Sequence, residues 1–244
     1  NSLNTAITAW IADEAAATAT YGHINNWDLS LITNLGNEAL TLSQTALAAS
    51  ILIILDENTS RDIDASSINT LTGNVADINK AYLSSQITGL GDVAINVNIG
   101  NASTSQANEL AAATSGPVTA TISDGDMATL ADLNGTGNAY TITITDTSVD
   151  AAALNTLDGK TTVAINASNI LTLTGAAEDI NKAFSSPQIT GLSDAGLGDD
   201  EAIILSDSTL DASVLNILIG MEGGGTSGDI DASSINTLTG RAVL

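Results

Sequence analysis

The chain has 244 residues, 43% of them hydrophobic but only 2% aromatic, so its core must be built from Ala, Ile, Leu and Val, which suits thin layers better than a ring-filled globule. Five basic residues against 28 acidic ones give a formal charge of −23, which excludes nucleic acid as a partner and disfavours anionic membrane surfaces, since both need clustered Lys and Arg. There is no Cys, hence no disulfide framework and no thiolate metal site, and the most apolar run, Ile51 to Leu55, falls far short of the roughly 20 residues that cross a bilayer.

From the N-terminus, LNTAITAWIADEAAATATYG (3 to 22) predicts an amphipathic helix with Ile7, Trp10 and Ile11 on one face. Such a helix would cover the open edge of the first repeat that follows it. His23, the only histidine, sits beside this cap in YGHINN, a poor position for a Ser-His-Asp triad. The opening NSLNTAIT lacks both Met and a signal-peptide pattern, so the chain reads as a processed piece or a fragment of a longer protein.

Repeats then run from residue 31 to 244. Alternating apolar and polar letters predict strands at ALTLS (39 to 43), DIDAS (62 to 66), VAINV (93 to 97), TATIS (119 to 123), TITITD (141 to 146), VAINAS (163 to 168), AIILSD (202 to 207) and DIDAS (229 to 233). Anchored on one apolar position each, Leu42 to Ile63 spans 21 residues, Ile122 to Ile144 spans 22 and Ile144 to Ile165 spans 21. Between them lie helical segments: SDGDMATLADL, TDTSVDAAALNTL and SDSTLDASVLNIL each offer Ser, Thr or Asp as an N-cap, with Gly135, Gly159 and Gly220 placed as left-handed C-caps. A larger insert, VADINKAYLSSQITGLGD (75 to 92), returns as AAEDINKAFSSPQITGLSD (176 to 194), with Tyr82 and Phe184 in equivalent places as packing rings.

DIDASSINTLTG occurs at 62 to 73 and again, unchanged, at 229 to 240, with a blurred copy, NASNILTLTG, at 166 to 175. No residue in it is an obvious catalytic group, so the repetition is architectural, and it reads as strand, cap, helical turn and stop. A period of 21 to 22 residues built from one strand and one short helix is that of the leucine-rich-repeat class. The fold expected is α/β: a leucine-rich-repeat-like solenoid of parallel strands and short helices, with a cap helix and first turn over residues 1 to 30. The solenoid would cover 31 to 244, be open at its C-terminal end, and carry Thr and Asn side chains suited to hydrogen-bonded ladders between coils.

Chemistry-bearing motifs are sparse. GTGNAY (135 to 140) and GGGTSG (223 to 228) lack the strand-turn-helix context and the Lys of phosphate loops and read as loose turns. SDGDMATLADLNGTGN and LGDDEAIILSD set carboxylates near turns, making Asp124, Asp126, Asp199 and Asp200 candidate calcium ligands, or else solvated caps. The chain shows neither an EF-hand loop nor a calcium-binding nonapeptide.

Trp27, Asp28, Ser30, Ile32 and Thr33 in INNWDLSLITNL resemble the W-D-x-S-x-(V/I)-T opening of BspA-type leucine-rich-repeat surface proteins, although NLGNEAL replaces the usual Met and Phe that follow. Residues 31 to 244 are similar to Ala/Thr/Asp-rich repeat proteins of marine picocyanobacteria and to structural proteins of their phages. The resemblance implies a non-enzymatic, exposed component: a cell-surface repeat protein, a fibre or a virion appendage, located outside the cell or on the virion surface. Head-to-tail self-association or docking on a larger assembly, with no membrane insertion, is the corresponding expectation about partners. The alternative is a calcium-dependent module that binds a glycan or a protein surface. An enzyme is disfavoured, because sugar sites in parallel solenoids use aromatic platforms and this chain is poor in rings.

Overall fold

A computed structural model describes residues 2–22, 24, 39–192, 202–221 and 230–240. The protein is α/β, with short helices and parallel strands in several sheets, none of which closes into a barrel among the described residues. It divides into two compact units, residues 1–121 and 122–244.

In the first unit the N-terminal segment forms two helices, α1 (Ser2–Ala12) and α2 (Glu14–Tyr21), rather than the single helix expected. The break falls at Asp13, which adopts an extended backbone and accepts the Ala16 amide at 3.0 Å, so its carboxylate starts a new helix where the old one would have continued. Ile7 and Trp10 are buried as predicted; the side chain of Ile11 lies outside the described residues. The Trp10 carbonyl accepts the buried Gln44 side chain at 3.3 Å, tying α1 to the first strand circuit.

That circuit is a strand β1 (Leu40–Thr41), a turn, a second strand β2 (Ala46–Ala48) and a helix α3 (Ala49–Glu57). The next repeats it as β3 (Ile63–Asp64), β4 (Thr70–Gly73) and α4 (Val75–Leu83), and a third as β5 (Ile87–Thr88), β6 (Ala94–Val97) and α5 (Thr104–Ala113), before β7 (Val118–Thr121). Pairing is parallel and in register: Leu40 lies opposite Ile63 and Ile63 opposite Ile87, while Leu47, Leu71, Ile95 and Val118 form a second aliphatic column. Successive strands in such columns lie about 4.8 Å apart, and small helix residues such as Ala81 and Ala107 fill the space behind them.

The second unit begins with α6 (Met127–Leu130) and β8 (Ala139–Thr143), followed by β9 (Ser148–Asp150) and α7 (Ala151–Asp158). A further circuit comprises β10 (Ile165–Asn166), β11 (Thr172–Gly175) and α8 (Ala177–Ser185), then β12 (Ile189–Thr190). Beyond it lie β13 (Ala202–Leu205), β14 (Thr209–Asp211), α9 (Ala212–Met221), β15 (Ile230–Asp231) and β16 (Thr237–Thr239). Ile142, Ile165 and Ile189 stack in one column and Val149, Leu173, Ile203 and Ile230 in another, while β16 extends β14.

Three expectations need correction. DIDASSINTLTG is not strand, cap and helical turn but strand, tight turn and second strand, because the T-L-T alternation finds parallel partners on the neighbouring circuit, Thr70 opposite Ala46 and Thr237 opposite Thr209. Most circuits are longer than 21 to 22, Leu40 to Ile63 spanning 23 residues, Ile63 to Ile87 24, Ile142 to Ile165 23 and Thr172 to Ala202 30, while one is shorter: the Ile122 amide bonds the Thr141 carbonyl 19 residues on, where the Ile63 amide reaches Gln86, 23 on. The glycines also differ from expectation. Gly159 caps α7 with φ −69°, in the right-handed region, and Gly220 falls within α9, while Gly135 has φ 76° but follows Ala131, which is itself the cap of α6.

Candidate binding surfaces

All three copies of the repeated segment are held by the same backbone and side-chain bonds. The first strand ends in an Asx turn: Asp64, Asn166 and Asp231 accept the amides of Ser66, Ser168 and Ser233 at 3.0, 3.1 and 2.9 Å. The amide two residues beyond each of these serines returns to the carbonyl of Ala65, Ala167 or Ala232 at 2.9, 3.1 and 3.0 Å, which closes the turn. The second strand is then seated on the previous circuit by a carbonyl that accepts two amides, namely Thr45, Thr147 and Ser208 in the three copies. Threonine hydroxyls reinforce the ladder, Thr88 and Thr190 donating to the carbonyls of Ile63 and Ile165 at 3.2 and 2.9 Å.

The hydroxyl and amide of Ser66 hold the Asp64 carboxyl below its ordinary value, and Ser233 does the same for Asp231. A carboxyl depressed in the folded state favours folding above its unfolded pKa, and that contribution is lost as pH falls through the folded value. Asn166 shows that an amide accepts the same bond without a charge. Asp64→Asn should therefore leave stability at neutral pH nearly unchanged and flatten its decline below about pH 4, as read by urea unfolding across a pH series.

Carboxylates from one circuit also cap helices of the previous one. The N-cap residue of α8, Ala176, has no side-chain acceptor, and Asp207 supplies it by accepting the Ala177 amide at 2.7 Å; Asp146 does likewise for Met127 at 2.6 Å. In the equivalent helix α4 the cap is local, Asn74 accepting the Asp77 amide at 2.8 Å. Asp207→Ala should cost about 0.5–2 kcal/mol, and adding Ala176→Asn should recover much of the loss. A denaturation midpoint for Asp207→Ala equal to that of the parent chain would show that the cross-circuit cap is idle.

Of the four candidate calcium ligands, Asp124 and Asp126 lie in the loop entering α6, and Asp199 and Asp200 lie outside the described residues. Asp126 is the N-cap of α6: it accepts the Thr129 amide at 2.9 Å, and this bond, with the Thr129 hydroxyl, lowers its pKa. Among the described residues no group of three or more His, Asp or Glu side chains comes together. His23 and the GGGTSG segment also lie outside them.

Two features escaped the sequence reading. GTGNAY delivers Tyr140 into the core, where it is fully buried and its phenol is pushed up to about 12 by desolvation. Its amide and carbonyl both bond the buried Thr161 hydroxyl, at 2.9 and 2.8 Å, so an apparent loose turn anchors a circuit. By contrast Tyr82 is half-buried, its hydroxyl donating to the Leu90 carbonyl at 3.0 Å, in keeping with a packing ring. The other feature is a cleft beside α6, a helix of four residues. It has a volume of about 240 Å³ and opens between α6 and α7, lined by Met127, Leu130, Ala131, Ala153, Leu157 and Lys160.

The last surface is the outer side of β15 and β16. Leu238 is 56% exposed there, whereas Leu71, the same letter in the first copy, is fully buried. No helix among the described residues is long and apolar enough to cross a membrane. No family model, no curated protein and no solved structure matches this chain.

Proposed function

We propose that this chain is a non-enzymatic structural or adhesive module of an exposed extracellular assembly: a cell-surface repeat protein, a fibre or a virion appendage. Its circuits are the coils of a leucine-rich-repeat-like solenoid. The observation that carries the reading is the recurrence of one set of bonds in three copies of one segment, with no chemical group recurring alongside. What the sequence repeats is a way of seating one circuit on the next, which is the requirement of a stacking scaffold. The acidic composition fits an exposed role, since like charges keep free copies apart until a dedicated surface docks. The mechanism is then geometric, stacking head to tail with further copies or docking onto a larger body.

Immunogold labelling of the native source, with proteomics of sheared appendages, tests this directly. The protein should be found in exposed fibres or particles, and recovery solely from the soluble interior would refute the proposal. The rival reading, calcium-dependent capture of a glycan or protein, predicts a lower melting temperature in chelator together with hits on a glycan array; the structural module predicts neither.

A further inference from the structure

Asn134 is the one asparagine of the chain that glycine follows, and the loop around the pair suits it to react. Leu133, just past α6, is 1% exposed and Asn138, just before β8, is 5% exposed, while the four residues between them all lie open to solvent. Both ends of this span are fixed. The Leu133 amide donates to the Leu130 carbonyl at 3.0 Å, and the Asn138 carbonyl accepts the Thr162 amide and hydroxyl at 2.8 and 3.1 Å. Between them the chain takes its course from Gly135 and Gly137, at φ 76° and 82°, conformations open to glycine and resisted by residues with a Cβ.

Cyclisation at an asparagine needs a main-chain nitrogen on the next residue that can reach the side-chain carbonyl carbon, no side chain in its way, and water to open the ring. Gly135 supplies the first two. Its amide donates to no acceptor among the described residues, so no hydrogen bond has to break before the nitrogen turns toward Asn134. A Cβ on it would meet one atom within 4 Å, the Asn138 Nδ2 at 3.2 Å, so little crowds the approach. Exposure supplies the water. The other asparagines all precede a residue that carries a side chain. Several also have their carboxamides engaged: Asn74 caps α4, Asn166 accepts the Ser168 amide, and Asn58 donates to the Ile54 carbonyl at 2.9 Å.

We infer that Asn134 is a site of spontaneous deamidation in the folded protein. The Gly135 nitrogen attacks Asn134 Cγ and loses its proton, the bond from Cγ to the side-chain nitrogen breaks, and ammonia leaves a cyclic succinimide behind. Water then opens the ring. Its attack at Cγ gives aspartate, and its attack at the main-chain carbonyl carbon gives isoaspartate, in which the backbone runs through the former side chain. The net change is an amide and water becoming an acid and ammonia, so nothing is oxidised or reduced. The product adds a negative charge to an already acidic chain, and isoaspartate lengthens the backbone within an exposed span whose anchors lie outside it. The fold therefore survives the change. This modification goes beyond the scaffold reading and stands or falls apart from it.

The test holds the full native chain in warm, mildly alkaline buffer and follows it by peptide mass mapping and by labelling with isoaspartyl methyltransferase. Asn134 should convert before any other asparagine, to both products and with release of equimolar ammonia, while circular dichroism stays constant. Asn134→Gln should abolish the early labelling. Gly135→Asp, which tolerates the left-handed region, should slow conversion by about tenfold or more, because its side chain crowds the attacking nitrogen. An Asn134 that stays intact while other asparagines convert, or that converts only after denaturation, would overturn the inference. So would early labelling that survives Asn134→Gln.

Discussion

Leu71→Ala should destabilise the first unit by about 2–5 kcal/mol, the cost of opening a cavity where a leucine is fully enclosed, while Leu238→Ala should change stability by no more than about 0.5 kcal/mol. The two leucines occupy the same place in the same dodecapeptide and take the same strand conformation. Only their neighbours differ: Leu71 lies between Leu47 and Ile95 in the column with α4 packed on its strand, and among the described residues Leu238 has Leu210 alone as a register partner. Intrinsic strand preference therefore cancels between them, leaving the contribution of the packed neighbours, the next circuit and helix α4. Urea unfolding of the two variants reads it out, and equal losses would show that the second copy is as enclosed as the first.

Gly89→Ala should be nearly as damaging, and Gly91→Ala nearly silent. Gly89 has φ 87°, and a Cβ there would stand 2.6 Å from the Ser66 nitrogen and 2.7 Å from its Cα, both backbone atoms of the preceding circuit. A side chain at positive φ costs about 1–2 kcal/mol by itself, and the clash must also push β5 away from the turn that β3 feeds, so a total above about 2 kcal/mol is expected. Gly91, two residues on, meets nothing within 4 Å, and Ala there should be neutral or stabilise by about 0.4–1 kcal/mol through the unfolded chain. Gly191 repeats the Gly89 contact against Ser168 at 2.8 Å, and its substitution should have the same effect in the second unit. Thermal melts of the three variants distinguish close circuit packing from a tolerant loop.

The sequence revealed the parallel strands with clear alternation, such as β6, β8 and β13, and the helices carrying their own polar starts. It concealed β4, β5, β11 and β12, because two to four residues bounded by Gly, Ser or Asp have no period of their own and become strands only when a neighbour supplies partners. The repeat length was misjudged for a related reason. Aligning Leu42 with Ile63 rather than Leu40 slips the register by two residues, and since side chains alternate with period two, that slip keeps every apolar letter on the same face. Hydrophobic pattern alone cannot detect it.

The candidate sites divide similarly. Asp126 was legible as a cap from its place before MATL, and the same letters equally suggested an ion ligand until the Thr129 amide was seen on its carboxylate. Asp207 as a cap for α8 was invisible, lying 30 residues from the amide it accepts.

The central claim is that within each unit each circuit rests on the one before in the parallel register described, and the absence of cysteine gives a clean background for testing it by disulfide trapping. Ala46 and Thr70 are register partners, as are Ser148 and Thr172, and partners on adjacent strands lie about 4.8 Å apart, within reach of a disulfide. Moving one partner along by two residues, as in Ala46 with Thr72, adds about 6.6 Å along the strand and puts the pair beyond the roughly 7 Å limit. Mild oxidation should close A46C/T70C and S148C/T172C nearly completely and leave A46C/T72C reduced. Closure of the offset pair with the registered pairs left open would contradict the stacking on which the fold and the proposed scaffold role both depend.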